Sequence, residues 1–398
     1  MWVVAFLGAA TAYVESALGQ IYKEEDHGQL RGGPAYYIEK AMGQKWYAWI
    51  FAITTIFAVG LLLPTVQSNA IGNAADLAFG GSGVLETSLG SVTYTKLATA
   101  IFVVFLLGFI IFGGVKRIAH FTQVVVPFMA VGYVLLAIVI ILMHITALPG
   151  ILMLIITDAF TPMAGIGAAI GWGVKRGVYS NEAGQGTGPH AAAASEVEHP
   201  AQQGLVQAFS VYVDTLFVCS ATAFMILITN QYYVTGVEAT ESGGLLSTDV
   251  LANSPAFTQY ALESVVGGFG KTFVAIALFF FAFTTILAYY YIAETNVAYI
   301  RRTIRIPGEI AALKIMMLGA VFYGTVRTAD LAWALGDMGV GLMAWLNIIG
   351  ILILFLMGKP ALKALDDYER QMRAGVTKYT FDPEKLGIKN ADFWKRGG

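Results

Sequence analysis

Cysteine is almost absent: Cys219 is alone among 398 residues. No disulfide can form within such a chain, and no thiolate metal cluster fits. Charge is scarce too. Asp, Glu, Lys and Arg make up 13% of the chain, about half the roughly 25% of a soluble domain, too few to cover a water-facing surface. The net charge of −2 leaves no basic footprint for nucleic acid. HExxH does not occur, and His190 and His199 have no metal-ligand company. Nor is there a GxxxxGK[ST] phosphate loop, an arginine ladder or a TVGYG filter. These absences argue against ATP hydrolysis by this chain, voltage sensing and potassium conduction. No nucleophile–base pair emerges that would suggest an enzyme, and no cofactor is expected.

What is abundant is apolar: 57% of the residues are hydrophobic and 44 are glycine. Runs of about 20 apolar residues match a bilayer core. The expected fold class is therefore an all-α membrane protein, with nine spans at 1–22, 46–68, 97–115, 124–146, 161–178, 203–229, 269–300, 310–327 and 338–358. The loops on one side, with Lys175 and Arg176 counted among them, hold every Lys and Arg except Lys96, Lys271 and Arg327. Cytoplasmic loops concentrate these residues, which places the tail, 359–398, in the cytoplasm as a solvated segment and the N-terminus outside. A chain that starts outside and inside an apolar run is expected to lack an upstream helix.

Polar groups in hydrocarbon cost several kcal/mol unless paired, so those within the spans are the candidates for function. Thr161–Gly173 reads TPMAGIGAAIGWG, a poor continuous helix. Its Thr161, Gly165 and Gly167 either line a mid-membrane break that binds substrate or mark close helix packing. In Ser180–Pro189, SNEAGQGTGP, residues Ser180, Asn181 and Glu182 form either a gate or a helix cap, at a depth past a cytoplasmic Lys175–Arg176 pair. Thr284 and Thr285 offer hydroxyls to a hard cation or bond back to their own helix, and Tyr289 lies one turn on. Gln67 and Asn69 follow Pro64 and either line a solute path or reach interfacial water. Glu294, close to the expected cytoplasmic end, either snorkels to the interface or pairs with Arg301 or Arg302. Asp214 is either a structural ion-pair member or a ligand of a coupling ion, and Asp337 and Asn347 are expected to cap or join helices.

GVKRGVYSNEAGQGTGPHAAAA (Gly173–Ala194) followed by HPAQQGLVQAF (His199–Phe209) resembles the signature of the sodium:alanine (amino-acid carrier) symporters. RGGPAYYIEKAMG (Arg31–Gly43) and FAFTTIL (Phe281–Leu287) fit as well, and WALGDMGVGLMAWLN (Trp333–Asn347) more loosely. The resemblance implies a leucine-transporter-like bundle of two inverted repeats, here 1–146 and 147–358, with Met1–Lys23 matching the second core helix. It implies symport of Na⁺, or in some relatives H⁺, with a small neutral amino acid such as alanine or glycine across the cell membrane. Thr284 and Thr285 then fall in the sodium and substrate region, together with carbonyls of the first core helix, and Gly165 and Gly167 fall in the sixth. Tyr289 stands where relatives often have Trp. Two alternatives remain: a carrier of another solute, or a truncated fragment that does not transport.

Overall fold

A computed structural model describes residues 1–80, 83–87, 90–161, 170–234 and 244–395. In chain order the helices are α1 (Trp2–Ile21), α2 (Pro34–Met42), α3 (Lys45–Phe79), α4 (Tyr94–Ile111), α5 (Val115–Met143), α6 (Leu148–Ala159) and α7 (Ile170–Asn181). There follow α8 (Gly188–Ala194), α9 (Pro200–Ile228), α10 (Ala256–Val266), α11 (Gly270–Arg301), α12 (Glu309–Val326), α13 (Ala329–Leu356), α14 (Pro360–Arg373) and α15 (Asp392–Lys395). Two antiparallel hairpins, β1–β2 (Glu24–Asp26, Gln29–Arg31) and β3–β4 (Val84–Thr87, Gly90–Thr93), are the strands among the described residues. In the first, His27 and Gly28 both take positive φ, 50° and 74°, as a two-residue hairpin turn requires.

Eight helices among the described residues are long and apolar enough to span a bilayer, against nine expected. The missing one is 161–178. Its described part is α7, 12 residues long, while Gly165 and Gly167 lie outside the described residues. The bundle is all-α, and large apolar side chains such as Phe105, Phe128 and Leu356 lie exposed on its outer faces, which suits hydrocarbon rather than water.

Two groups of helices form the bundle. α1 packs along α9, with α7 and α8 beside it, while α3, α4, α11 and α12 pack on one another. Small residues permit the close approaches. A Cβ on Gly204 of α9 would stand 2.7 Å from the Tyr13 ring of α1, and one on Gly72 of α3 would stand 2.5 Å from Thr325 O of α12. α3 opens into a π-helical stretch, Ala58–Leu62, just before Pro64. Pro cannot donate an N–H and crowds the preceding turn, and the wider turn relieves that. α9 has a second such stretch, Val213–Cys219.

Three expectations change here. Lys175 and Arg176 do not lie at the same end of the bundle as Lys23. Gly177 of α7 packs on Val4 of α1, and a Cβ on Gly184 would lie 3.4 Å from Thr11 Cγ2, so α7 starts level with Met1 and descends beside α1. Lys175 pairs with Asp337 at 2.6 Å, inside α13 rather than before it. The bias of Lys and Arg towards the Lys23 end survives their removal. Glu294 pairs with Arg31 at 3.2 Å, not with Arg301 or Arg302, because the β1–β2 hairpin brings Arg31 against α11.

The tail also departs from the solvated segment expected. Phe381, Ile388, Ala391 and Trp394 are buried in the main apolar cluster. Trp394 Nε1 donates to Gln20 O at 3.0 Å, and Lys23 Nζ lies 4.5 Å and 5.0 Å from the centres of the Phe393 and Trp394 rings. His199 anchors α14: its Nδ1 accepts from Ala201 N at 3.1 Å and its Nε2 faces Asp367 Oδ2 at 3.3 Å. Burial lowers the pKa of His199 and Asp367 partly opposes that. Neutral His199 is thus the docked form. Its contribution is present above the unfolded value near 6.5 and is lost as pH falls towards the lowered one. Protection against hydrogen exchange over 376–395, corrected for the intrinsic pH dependence of amide exchange, should be high at pH 7.5 and lower at pH 5.5. Trp394→Ala, removing a buried ring worth about 3 kcal/mol, should expose the same segment to protease at pH 7.5.

Candidate functional site

The SNEAGQGTGP segment is the centre of the molecule. α7 ends at Asn181, whose Oδ1 accepts from Ala183 N at 3.1 Å. Ser180, Asn181 and Glu182 therefore close a helix rather than open one, and α8 begins at Gly188 without a side-chain cap. The chain then turns through positive φ at Glu182 (57°), Gly184 (84°) and Gly186 (83°). These φ values point successive amides at one anion, a backbone nest. That anion is Glu15, which is 1% exposed. Gly184 N donates to its Oε1 at 3.0 Å and Gly186 N to its Oε2 at 3.1 Å. Asn347 of α13 donates to Oε2 at 2.6 Å, and Tyr37 donates to the amide oxygen of Asn347. Glu15 could be noted in the sequence as a carboxylate within a span, but no local signal tied it to residues 169 positions away.

Asp214 sits at the start of the π-helical stretch of α9. Ser180 Oγ donates to it at 2.8 Å and Thr215 Oγ1 at 3.1 Å, while Asn181 Nδ2 donates to Thr215 Oγ1 at 3.3 Å. Of the two roles open to Asp214, the ion pair is not what the structure builds: hydroxyls surround it.

A cavity of about 370 Å³ is lined by Gln67, Ser180, Glu182, Thr285 and Tyr289, with Arg176, Tyr179 and Trp333 along another part of its wall. Five of the candidate residues thus meet, from α3, the end of α7 and α11. Tyr289 OH donates to Glu182 Oε1 at 3.3 Å. Thr285 Oγ1 donates to Phe281 O at 2.9 Å, and buried Thr284 donates to Phe280 O at 2.9 Å. Both hydroxyls bond back to their own helix, and each keeps lone pairs that can accept or ligate. Two candidates lie elsewhere. Asn69 ties α3 to the end of α12, donating to Gly324 O at 3.0 Å and Arg327 O at 2.7 Å. Thr161 follows α6 and donates to Asp158 O at 3.0 Å.

A second cavity, about 500 Å³, lies towards α10 and the start of α13, lined by Asn69, Asn253, Thr258 and Phe281. Arg176 and Trp333 line both cavities. The guanidinium lies 4.0 Å from the centre of the indole, and Tyr179 packs on the same ring at 5.0 Å. This cation–π stacking, with the ion pair between Arg176 and Asp337 at 3.7 Å, makes a partition between the two cavities.

The model of the sodium:alanine symporter family matches residues 1–383. The chain belongs to that family. It is 56% identical to the putative sodium/proton-dependent alanine carrier YrbD of Bacillus subtilis, over 100% of this chain and 79% of that protein. It is 48% identical to the sodium/proton-dependent alanine carrier of Bacillus sp. strain PS3, over 100% and 86%. A probable sodium/glutamine symporter of B. subtilis, GlnT, is 38% identical over 94% and 72%. This family member is thus a multi-pass membrane protein of a transporter family.

Trp333→Ala removes the partition between the two cavities. A cysteine introduced by Thr285→Cys in a Cys219→Ala background should then react several-fold faster with a membrane-impermeant thiol reagent. Equal rates with and without Trp333 would show that the indole does not close the path.

Proposed function

We propose that the chain is a secondary transporter that couples a cation, Na⁺ or H⁺, to the symport of alanine or a comparably small neutral amino acid. The observation that carries this is the cavity shared by Gln67, Ser180, Glu182, Thr285 and Tyr289. Its size, at the low end of the usual ligand range of about 300–1,000 Å³, favours a small solute. Its chemistry favours a zwitterion. The ammonium group would meet Glu182 and the Tyr289 hydroxyl at the C-terminal end of α7, where the helix dipole is negative. The carboxylate would meet the guanidinium of Arg176, which lines the cavity. Na⁺ as coupling ion would take the hydroxyl oxygens of Thr285, which lines the cavity, and of Thr284 beside it, each through the lone pairs left by its bond to its own helix.

In this reading the packing of α1 on α9, and of α3 and α4 on α11 and α12, reflects two inverted repeats, and Arg176 with Trp333 divides the outer cavity from the central one. Cation binding stabilises one of two states of that partition, so a gradient shifts their populations. The Lys23 end and the tail face the cytoplasm of the cell, because Lys and Arg crowd there. The names of the relatives, alanine carriers dependent on sodium or protons, support the substrate and both cations; a neutral amino acid and a cation are the expected partners.

The test is alanine uptake into proteoliposomes under an imposed sodium or proton gradient. Thr285→Ala should raise the sodium concentration for half-maximal uptake about tenfold, the loss of one ligand to a charge worth about 1.5 kcal/mol. Uptake with an unaltered sodium dependence would remove Thr285 from the site. Uptake driven only by the proton gradient would assign the coupling to the carboxylates instead.

A further inference from the structure

A third cavity, about 250 Å³, lies between α1, the turn after α7, and α9, and is separate from the threonine site. Its lining includes Glu15, Ser16, Glu182, Gly188, Gln207 and Asp214. Among the described residues three carboxylates border it and no Lys, Arg or His does. Like charges held in a poorly polarisable interior repel strongly, and hydroxyl donors to Asp214 only partly offset that.

Ser16 gives the independent sign of a ligand. It is wholly buried, it lines the cavity, and its hydroxyl has no hydrogen-bond partner. A buried polar group left unpaired costs about 1–3 kcal/mol. Gly188 shows what surrounds it. A Cβ built on that glycine would meet Ser16 Oγ at 3.5 Å, Gln207 Oε1 at 3.8 Å and Glu15 Oε1 at 3.9 Å. Three oxygens from two helices therefore converge on one point beside a residue that has no side chain to fill it. Glu15 has room for a further partner. A carboxylate offers about four lone-pair sites, and Gly184 N, Gly186 N and Asn347 Nδ2 take three.

We propose that Glu15, Ser16 and Gln207 bind a second monovalent cation, Na⁺, with Asp214 and Glu182 adding negative charge from the rim. A carboxylate, a hydroxyl and an amide carbonyl are hard oxygen donors of the kind such cations take. The site ties α1 and α9 to the turn that follows α7, so its occupant strengthens the junction that Glu15 already makes.

Equilibrium binding of radioactive sodium to the purified full-length chain in lipid nanodiscs tests this, at constant ionic strength with choline as counter-salt. The expected result is two sodium ions per chain. Thr285→Ala should weaken one about tenfold, which reads the threonine site separately. Ser16→Ala should weaken the other about tenfold and leave the Thr285-sensitive ion unchanged. Ser16→Cys, which keeps the size but replaces the hard donor by a soft one, should weaken it likewise and serves alone if Ser16→Ala does not fold. Gln207→Leu should act in the same direction. A wild-type isotherm with one ion, weakened in Thr285→Ala, would overturn the second site and leave the first. Isotherms unchanged by Ser16→Ala, or by Ser16→Cys where that is read alone, would overturn it as well, water then being the partner of Ser16.

Discussion

A carboxylate buried in a membrane protein must be held on every side or it will not stay charged and in place. Glu15 is held by two backbone amides and a side-chain amide, from two separate parts of the chain: the turn after α7, and Asn347 of α13, meeting on α1. Neither Gly184 nor Gly186 could carry a side chain in its conformation without strain. A Cβ on Gly186 would also stand 2.6 Å from Pro34 and 2.9 Å from Phe51. The positive-φ turn, the small residues and the acid are therefore one device. Change any of them and the exit of α7 loses its place.

The rest of the site hangs on that placement. Because the turn is pinned at the depth of Glu15, Ser180 and Glu182 stand between two cavities, the central one shared with α3 and α11 and the smaller one shared with α1 and α9. Arg176 and Trp333 stand between the central cavity and the larger one beyond. Three compartments thus follow one helix, α7, from its start to its end, and its two faces form the walls. A rotation or bend of α7 would change both walls together, which is how a single packed element can couple binding at one compartment to access at the next.

Much of the fold could be read from composition and periodicity. The eight spanning helices follow apolar runs long enough to cross hydrocarbon, with at most two charged residues in the apolar window of each. The bias of Lys and Arg towards one end also stands. Lys175 and Arg176 were misplaced because loop counting assumes that a basic pair belongs to a water-facing loop. Here Asp337 and two indoles, Trp172 and Trp333, hold them within the bundle. The tail was misjudged for a related reason. Its charges speak for water, but Phe381, Phe393 and Trp394 find partners in Lys23, Gln20 and His199, and nothing local announces those partners.

By itself the sequence determined that the chain is an all-helical membrane protein, that oxygen-bearing residues interrupt its apolar runs, and which family's motifs it carries. These properties are local: they depend on which residues neighbour one another along the chain. Only the tertiary structure decided that Glu15 belongs to Gly184 and Gly186, that Gln67 meets Thr285 and Tyr289 while Asn69 does not, and that Ser16 faces Gln207 across Gly188. Each of those choices rests on the approach of distant helices. A buried polar group takes whichever partner that approach supplies, because leaving it without one costs more than any local preference can repay.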